Sequence, residues 1–390
     1  MVGELATLDL DAWSSFMGGR SAAPDLSRLD RLDLRLRHLH GYGTDLANVR
    51  AEMDSGEIRL TVDDPMMMGT VSVPRPLGSG TLDARFKRLN LKPSDPPSTA
   101  RSWPAPDALP AIRIRVDDLM LDGDPLGSLE AVSRPGNGAL LLERVALTGR
   151  HFALTGQGDW TRTSGADLTR LTLEFNAEDA GDAFSQLGLG NAARGGTASG
   201  ELELSWPKPL PGLDLATLAG RVHLTVLDGK IAEVDAGVGR LVGLFNLAAI
   251  SRRLRLDFTD VFDEGYRFDS IEAQLRFSEG NMYQEPLESK GPSAFLSMTG
   301  RVGILARDYD LDLWVSPQVG GSLPLAGLLA GGPAVGAALF IAGTVFKQGL
   351  DKVLRVQYTI DGTWEAPVIE PIRVVPAREE EPLGQEGGSR

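Results

Sequence analysis

Strict alternation of apolar and polar residues runs from one end of this chain to the other. Leu32, Leu34 and Leu36 interleave with Asp33, Arg35 and Arg37. The same spacing recurs in Ile112, Ile114 and Val116, in Leu171, Leu173 and Phe175, and in Leu202, Leu204 and Trp206. It returns in Val222, Leu224 and Val226, in Leu254, Leu256 and Phe258, in Leu311, Leu313 and Val315, and in Val356, Tyr358 and Ile360. A period of two gives a segment one dry face and one wet face only when the segment is extended. Gly, Asn and Asp turn residues separate the runs, so the pattern predicts antiparallel β-hairpins, about 18 to 20 strands in all.

The hairpins recur as a loose repeat. Leu39-His40-Gly41 leads into Leu46-Ala47-Asn48-Val49-Arg50-Ala51, and Leu121-Asp122-Gly123 into Leu126-Gly127-Ser128-Leu129-Glu130-Ala131. Gly265-Tyr266-Arg267-Phe268 leads into Asp269-Ser270-Ile271-Glu272-Ala273. A turn follows each, at Ser55-Gly56, Asn137-Gly138 and Glu279-Gly280. Repetition of this kind predicts a sheet that grows along one axis; two unrelated sandwiches sharing turn chemistry are the alternative. Helical pattern is scarce, confined to 179–187, 235–245 and an apolar stretch near the C-terminus. So few helices cannot cover one whole face of a long sheet. Either the sheet folds on itself as a sandwich, or it curls around a ligand.

Composition narrows the partners. The formal charge of −14 (39 Lys and Arg against 53 Asp and Glu) removes the basic footprint that nucleic acid or broad adhesion to anionic lipid requires. The absence of cysteine removes disulfides, thiolate nucleophiles and Cys-based metal sites. The first 16 residues show no basic region followed by an apolar run, so export is expected to depend on a preceding segment. Residues 92–110 hold six prolines and predict a linker or overpassing loop; 376–390 predict a disordered tail.

The most unusual stretch carries no charged side chain from Leu313 to Phe346. Its core, 323–346, has the length to cross a bilayer, but Pro324 and Pro333 interrupt it and five glycines weaken it as a helix. A broken helical hairpin or interfacial wedge is favoured over a single span, with a buried pair of helices capping the sheet as the equal alternative. Leu323, Leu325, Leu328, Leu329, Val335, Leu339, Phe340, Ile341 and Phe346 are its membrane-contact candidates.

No catalytic constellation emerges. His38 and His40 share a strand face, yet only His151 and His223 remain to complete a metal set. Asp308, Asp310 and Asp312 also share a face and alternate with Tyr309, Leu311 and Leu313, which marks the polar side of a strand. Asp63-Asp64 and Asp117-Asp118 point to opposite faces on a strand. The glycines of Gly237-Val238-Gly239-Arg240-Leu241-Val242-Gly243 miss the dinucleotide spacing by one residue and follow a β-meander. The expectation is no enzyme, no metal and no cofactor.

Longer motifs carry a resemblance. Asp235-Ala236-Gly237-Val238-Gly239-Arg240-Leu241-Val242-Gly243-Leu244, Arg253-Leu254-Arg255-Leu256-Asp257-Phe258, Val315-Ser316-Pro317-Gln318-Val319-Gly320-Gly321-Ser322-Leu323-Pro324 and Gly362-Thr363-Trp364-Glu365-Ala366-Pro367 are similar to segments of the YhdP family of AsmA-like proteins. The similarity is specific over 176–372 and weaker, though in register, from Leu8 onward. Ala236 stands where the family prefers proline.

The resemblance implies a mainly β fold: an elongated, strongly curved antiparallel sheet with an apolar groove, few short helices and a C-terminal apolar helical segment. The expected organisation is a β-repeat region over 1–91, the proline-rich connection over 92–110 and the AsmA-like sheet over 111–315. The apolar segment over 316–352, closing strands over 353–375 and the tail over 376–390 complete it. The resemblance further implies non-enzymatic phospholipid transport between inner and outer membranes, a periplasmic location and an inner-membrane anchor that this chain is expected to lack. Phospholipid acyl chains are the expected partners, with Leu202, Leu204, Val222, Leu224, Leu254, Leu256 and Leu311 lining the groove. An envelope scaffold or protein-binding module, its apolar face packed in a core, is the competing expectation.

Overall fold

The computed structural model describes residues 2–9, 31–41, 44–54, 56–75, 80–91, 104–210, 212–232, 266–317 and 354–376. Among these residues the chain is overwhelmingly strand, with 19 strands. Among the described residues, helix is limited to one turn of 3-10 helix at Pro106–Ala108 and to α1 (Ala180–Gln186). The Asp179 carboxylate caps α1 by accepting from the Asp182 N–H. This is the helix expected at 179–187; those expected at 235–245 and 323–352 lie outside the described residues.

The chain divides into two compact units, each considered by itself: 1–187, 198–222 and 277–279 form the first; 188–197, 223–276 and 280–390 the second. The first opens with β1 (Val2–Asp9) and continues through two sets of five strands. One set is β2 (Leu32–Gly41), β3 (Thr44–Met53), β4 (Glu57–Asp63), β5 (Met67–Pro74) and β6 (Thr81–Leu91). The other is β7 (Ala111–Leu121), β8 (Asp124–Gly136), β9 (Ala139–Thr148), β10 (Phe152–Thr163) and β11 (Ala166–Ala177). Most of β12 (Ala193–Trp206) follows, and the start of β13 (Ala219–Ile231). Within each five-strand set the pairing is antiparallel between chain neighbours.

The two sets are entered by parallel steps, which the alternation pattern does not announce. β2 runs parallel to β1, and β7 parallel to β6, with Thr81 opposite Ala111 and Leu91 opposite Leu121. After β6 the chain must return the length of that strand, about 36 Å at 3.3 Å per residue. The intervening residues 92–110 reach that far. A parallel step needs a connection of about a dozen residues or more, and the chain between β6 and β7 has that length.

The second unit takes in β14 (Tyr266–Ser278), β15 (Asn281–Lys290), β16 (Ala294–Gly303), β17 (Asp308–Pro317), β18 (Leu354–Thr363) and β19 (Pro367–Pro376). Some turn geometries recur. The turn before β5 has Asp64 N–H bonded to the Met67 carbonyl (3.1 Å). Its counterparts are Gly149 N–H to Phe152 (2.9 Å) before β10 and Gly291 N–H to Ala294 (3.1 Å) before β16. Asp122-Gly123, Ser164-Gly165 and Glu279-Gly280 all have positive φ at both residues, the backbone that matches strand twist in a two-residue hairpin.

Candidate functional site

Residues directly opposite one another in paired strands share a sheet face, so the registers of the first unit assemble its apolar face row by row. Leu5 lies opposite Leu36, Leu36 opposite Val49, and Val49 opposite Val62. The row continues through Gly69, Phe86, Val116, Leu129, Leu147 and Leu154 to Phe175. A second row, two residues along each strand, passes through Leu34, Ala51, Leu60, Val71, Ala84, Ile114, Ala131, Val145, Gly156 and Leu173 and ends on Leu202 of β12. A third brings Ile112, Ser133, Leu142, Gly158 and Leu171 to Leu204. Together the three rows cover twelve strands without a charged residue.

The opposite face is charged and cross-linked by ion pairs. Arg50 holds Asp33 through two bonds (3.0 and 2.8 Å), and Glu130 lies between Arg115 (3.4 Å) and Arg144 (3.6 Å). The Arg50 guanidinium lowers the Asp33 carboxyl below its usual range. Such exposed pairs add little stability; their effect is to keep this side wet.

Exposure varies along every row: in the first, Leu5 is exposed and Phe86, Leu129, Leu147 and Leu154 are half-buried, while Ala84, Leu142 and Leu173 are buried in the other two. In the first, Leu36, Val49 and Val62 form a buried cluster with Leu8, Leu39, Leu46 and Met67 packed on it. In the second and third, Leu34, Leu60, Val71, Ile114, Val145, Leu171, Leu202 and Leu204 are only half-buried. A sandwich would bury all of these against a second sheet.

At β10–β12 the half-open strip has a built border on each side. On one side α1 lies over the first row: Phe184 stacks on Phe175 with centroids 6.4 Å apart, and Phe175 meets Phe152 at 6.1 Å. On the other side comes a fourth row, Leu140, Trp160, Thr169 and Trp206. Trp160 and Trp206 are 2% exposed and Thr169 is fully buried. The β12–β13 loop covers the Thr169–Trp206 end of this row: Thr169 Oγ1 donates to the Lys208 carbonyl (2.8 Å) and Trp206 Nε1 to the Pro209 carbonyl (3.3 Å). One step farther out on the same face, Arg162 pairs with Asp167, whose carboxylate also accepts from Trp160 Nε1 (2.8 Å). Along β10 the face thus passes from glycine and leucine through tryptophan to charge.

The glycines of β10 shape this strip. A Cβ at Gly156 would sit 2.1 Å from the Thr172 carbonyl oxygen, and one at Gly158 2.2 Å from that of Arg170. Only glycine lets β10 and β11 approach so closely while Leu171 and Leu173 lie over the bare backbone.

Of the expected groove residues, Leu202 and Leu204 fall on this strip. Val222 and Leu224 share one half-buried face of β13, alternating with exposed Arg221 and His223. Leu311 belongs to the second unit, opposite Gly300 and Ile360, and is 5% exposed among buried Met298, Leu313 and Tyr358. Leu254 and Leu256 lie outside the described residues, as do all the membrane-contact candidates from Leu323 to Phe346. The strap-like loop, the Trp160–Thr169–Trp206 row and the β10 glycines were not anticipated. Gly156-Gln157-Gly158 inside a strand pattern and the Pro207, Pro209 and Pro211 run were their signals.

The aspartates and histidines serve the sheet. Arg301 clasps Asp308 (2.9 and 3.0 Å) and lowers its carboxyl pKa, while Gln357 donates to Asp312 (2.8 Å). His38 and His40 are exposed on β2. Asp64 is buried and accepts from the Ala47 and Met66 N–H groups, closing the end of β4. Among the described residues no group of three or more His, Asp or Glu side chains is placed to hold a metal ion. None of the described helices is long and apolar enough to cross a membrane.

A sequence model of the family described as YhdP protein matches residues 1–369. This chain belongs to the YhdP family. It is similar to the intermembrane phospholipid transporter YhdP of Escherichia coli strain K12, with 29% identity over 298 residues. That alignment takes in 75% of this chain but 23% of the relative, so the chain spans about a quarter of the longer protein. No solved structure matches it. The name of the relative describes transport between membranes rather than a reaction.

Proposed function

We propose that this chain is a stretch of a lipid conduit, which shelters phospholipid tails on the apolar face of its sheet during passage between the two membranes of the cell envelope. The observation that carries the reading is the set of half-buried apolar side chains that recurs on one face from strand to strand, among them Leu34, Leu60, Val71, Ile114, Val145, Leu171, Leu202 and Leu204. Water contact costs an acyl chain about 0.8 kcal/mol per methylene, so roughly 12 kcal/mol for a sixteen-carbon tail. A dry strip that shields the tail removes most of that barrier and needs neither a covalent step nor a cofactor. Leucine, valine and isoleucine suit the task because they attract any alkyl chain without fixing its position.

On this reading the chain works without catalysis in the periplasm, and Leu202, Leu204, Val222, Leu224, Leu254 and Leu256 are candidates for tail contact, whereas Leu311 is packed among buried side chains. The charge-free run containing Leu323 to Phe346 is the proposed membrane contact. Its deletion is expected to abolish flotation with phosphatidylethanolamine–phosphatidylglycerol liposomes at both low and high salt, since hydrophobic insertion resists screening. The decisive experiment is photo-crosslinking. A photoreactive residue at position 202 or 204 should capture phospholipid in cells, while one at exposed Glu201 or Glu203 should not. Equal capture from the two faces would defeat the reading.

A further inference from the structure

The β12–β13 loop does more than connect two strands. Its Lys208 and Pro209 carbonyls turn in over Thr169 and Trp206, the buried row that borders the open strip. The loop is fastened to itself as well. Lys208 Nζ lies 2.6 Å from Asp214 Oδ2, and Asp214 Oδ1 accepts from the Ala216 N–H (3.0 Å). The Gly212 N–H reaches the Pro209 carbonyl (2.8 Å), and the Thr217 N–H that of Asp214 (3.1 Å). Leu218 is buried at its far end, whereas Leu213 and Leu215 face solvent. Lys208 and the Ala216 N–H together hold the Asp214 carboxyl below its usual pKa range.

These contacts distinguish a strap from an ordinary turn. A hairpin between adjacent strands closes in two to five residues. Here 12 residues, 207–218, separate β12 from β13, and their inward bonds are to side chains of the apolar face. Thr169 belongs to that face by parity with Leu171 and Leu173, so its hydroxyl would be orphaned in an apolar setting without the Lys208 carbonyl.

We propose that Lys208–Pro209 and Gly212–Leu218 form a strap that retains lipid tails on the open strip of the first unit, by closing the border opposite α1. The inference rests on the lipid-conduit reading above. A tail lying over Leu202 and Leu204 then meets α1 on one side and the Trp160–Trp206 wall with its strap on the other. It leaves along the rows, from strand to strand, rather than sideways into water.

The test uses the whole chain loaded with a fluorescent diacyl phosphatidylethanolamine, its release to phosphatidylcholine vesicles followed by stopped flow. Thr169→Val with Asp214→Ala cuts the inward bond and the internal fastening; Asp214→Asn alone is the milder variant should the pair misfold. Hydrogen exchange over 207–218 reports the strap itself. The expected result is faster exchange there and release about tenfold faster for the double variant, with Asp214→Asn in between. Accelerated exchange with unaltered release would overturn the proposal and leave the conduit reading standing. Unaltered exchange in both variants would also overturn it, because the named bonds would then not hold the strap. If the wild-type chain takes up no lipid, the conduit reading fails and the strap proposal with it.

Discussion

Thr169 Oγ1 lies 2.8 Å from the carbonyl oxygen of Lys208, 39 residues along the chain. That hydrogen bond ties the start of β11 to the loop beyond β12 and seals the point where the apolar face ends. Replacing Thr169 by valine keeps the shape but strands the Lys208 carbonyl. The expected cost is about 1–2 kcal/mol, read as a lower urea midpoint with an unchanged slope.

The same strap is expected to respond to acid. Asp214 has its pKa lowered, first by the Lys208 hydrogen bond and then by the Ala216 N–H. A carboxyl depressed in the folded state stabilises it above the unfolded value of about 3.9, and that contribution disappears as pH falls through the folded value. Hydrogen exchange over 207–218 should therefore be constant from neutral pH to about 5, once corrected for the intrinsic rate. Below about pH 4 it should rise, and Asp214→Asn should abolish this extra rise.

How much of this was legible in the sequence follows from what each feature depends on. Leu171, Leu173, Leu202 and Leu204 announce their strands and their common face because side-chain direction alternates locally. Glu279-Gly280 announces its turn because positive φ is a property of those two residues. The helix at 179–187 shows itself through Asp179 as a cap. The cover over Thr169 depends on a partner 39 residues away and leaves no periodic trace. Likewise, β6 and β7 alternate like any other pair, and nothing in alternation says that they run parallel. The position of Leu311 among buried Met298, Leu313 and Tyr358 follows from packing in the second unit, which alternation does not report.

Close approach of strands makes a further prediction. Gly156→Ala places a methyl group 2.1 Å from the Thr172 carbonyl oxygen, a backbone atom that cannot swing away. It should destabilise the first unit by about 1–3 kcal/mol through forced separation of β10 and β11. Gly3, on the same apolar row, faces only the Leu34 side chain at 3.5 Å. Gly3→Ala should be neutral, or stabilise by about 0.4–1 kcal/mol by restricting the unfolded chain. Denaturant midpoints of the two variants measure the contrast.

In the second unit, Tyr266 is a buried anchor: its hydroxyl donates to the Ala294 carbonyl (3.1 Å) and lies 3.0 Å from Ser289 Oγ. Burial pushes its pKa up to about 12, against the Ser289 hydrogen bond, which acts to lower it. Because the folded value lies above the unfolded value of about 10, the stabilisation is complete below pH 10 and lost as pH rises towards 12. Tyrosinate absorbance should show a component that titrates late and with unfolding, and Tyr266→Phe should diminish it.

The two units make opposite predictions for the same substitution. Leu311 lies between Gly300 and Ile360 among buried Met298, Leu313 and Tyr358, at 5% exposure. Leu311→Asp buries a carboxylate with no partner and should cost more than about 4 kcal/mol, enough to unfold the second unit. Leu202 pairs with Leu173 on the half-open strip, where a carboxylate keeps part of its hydration. Leu202→Asp should therefore leave the circular dichroism spectrum and denaturant midpoint close to wild type, while phospholipid recovered by organic extraction falls severalfold. A face that merely fills a core predicts unfolding at both positions, with no lipid to lose. Parallel measurement of fold and bound lipid in the two variants separates a surface kept open for tails from one that happens to be thinly covered.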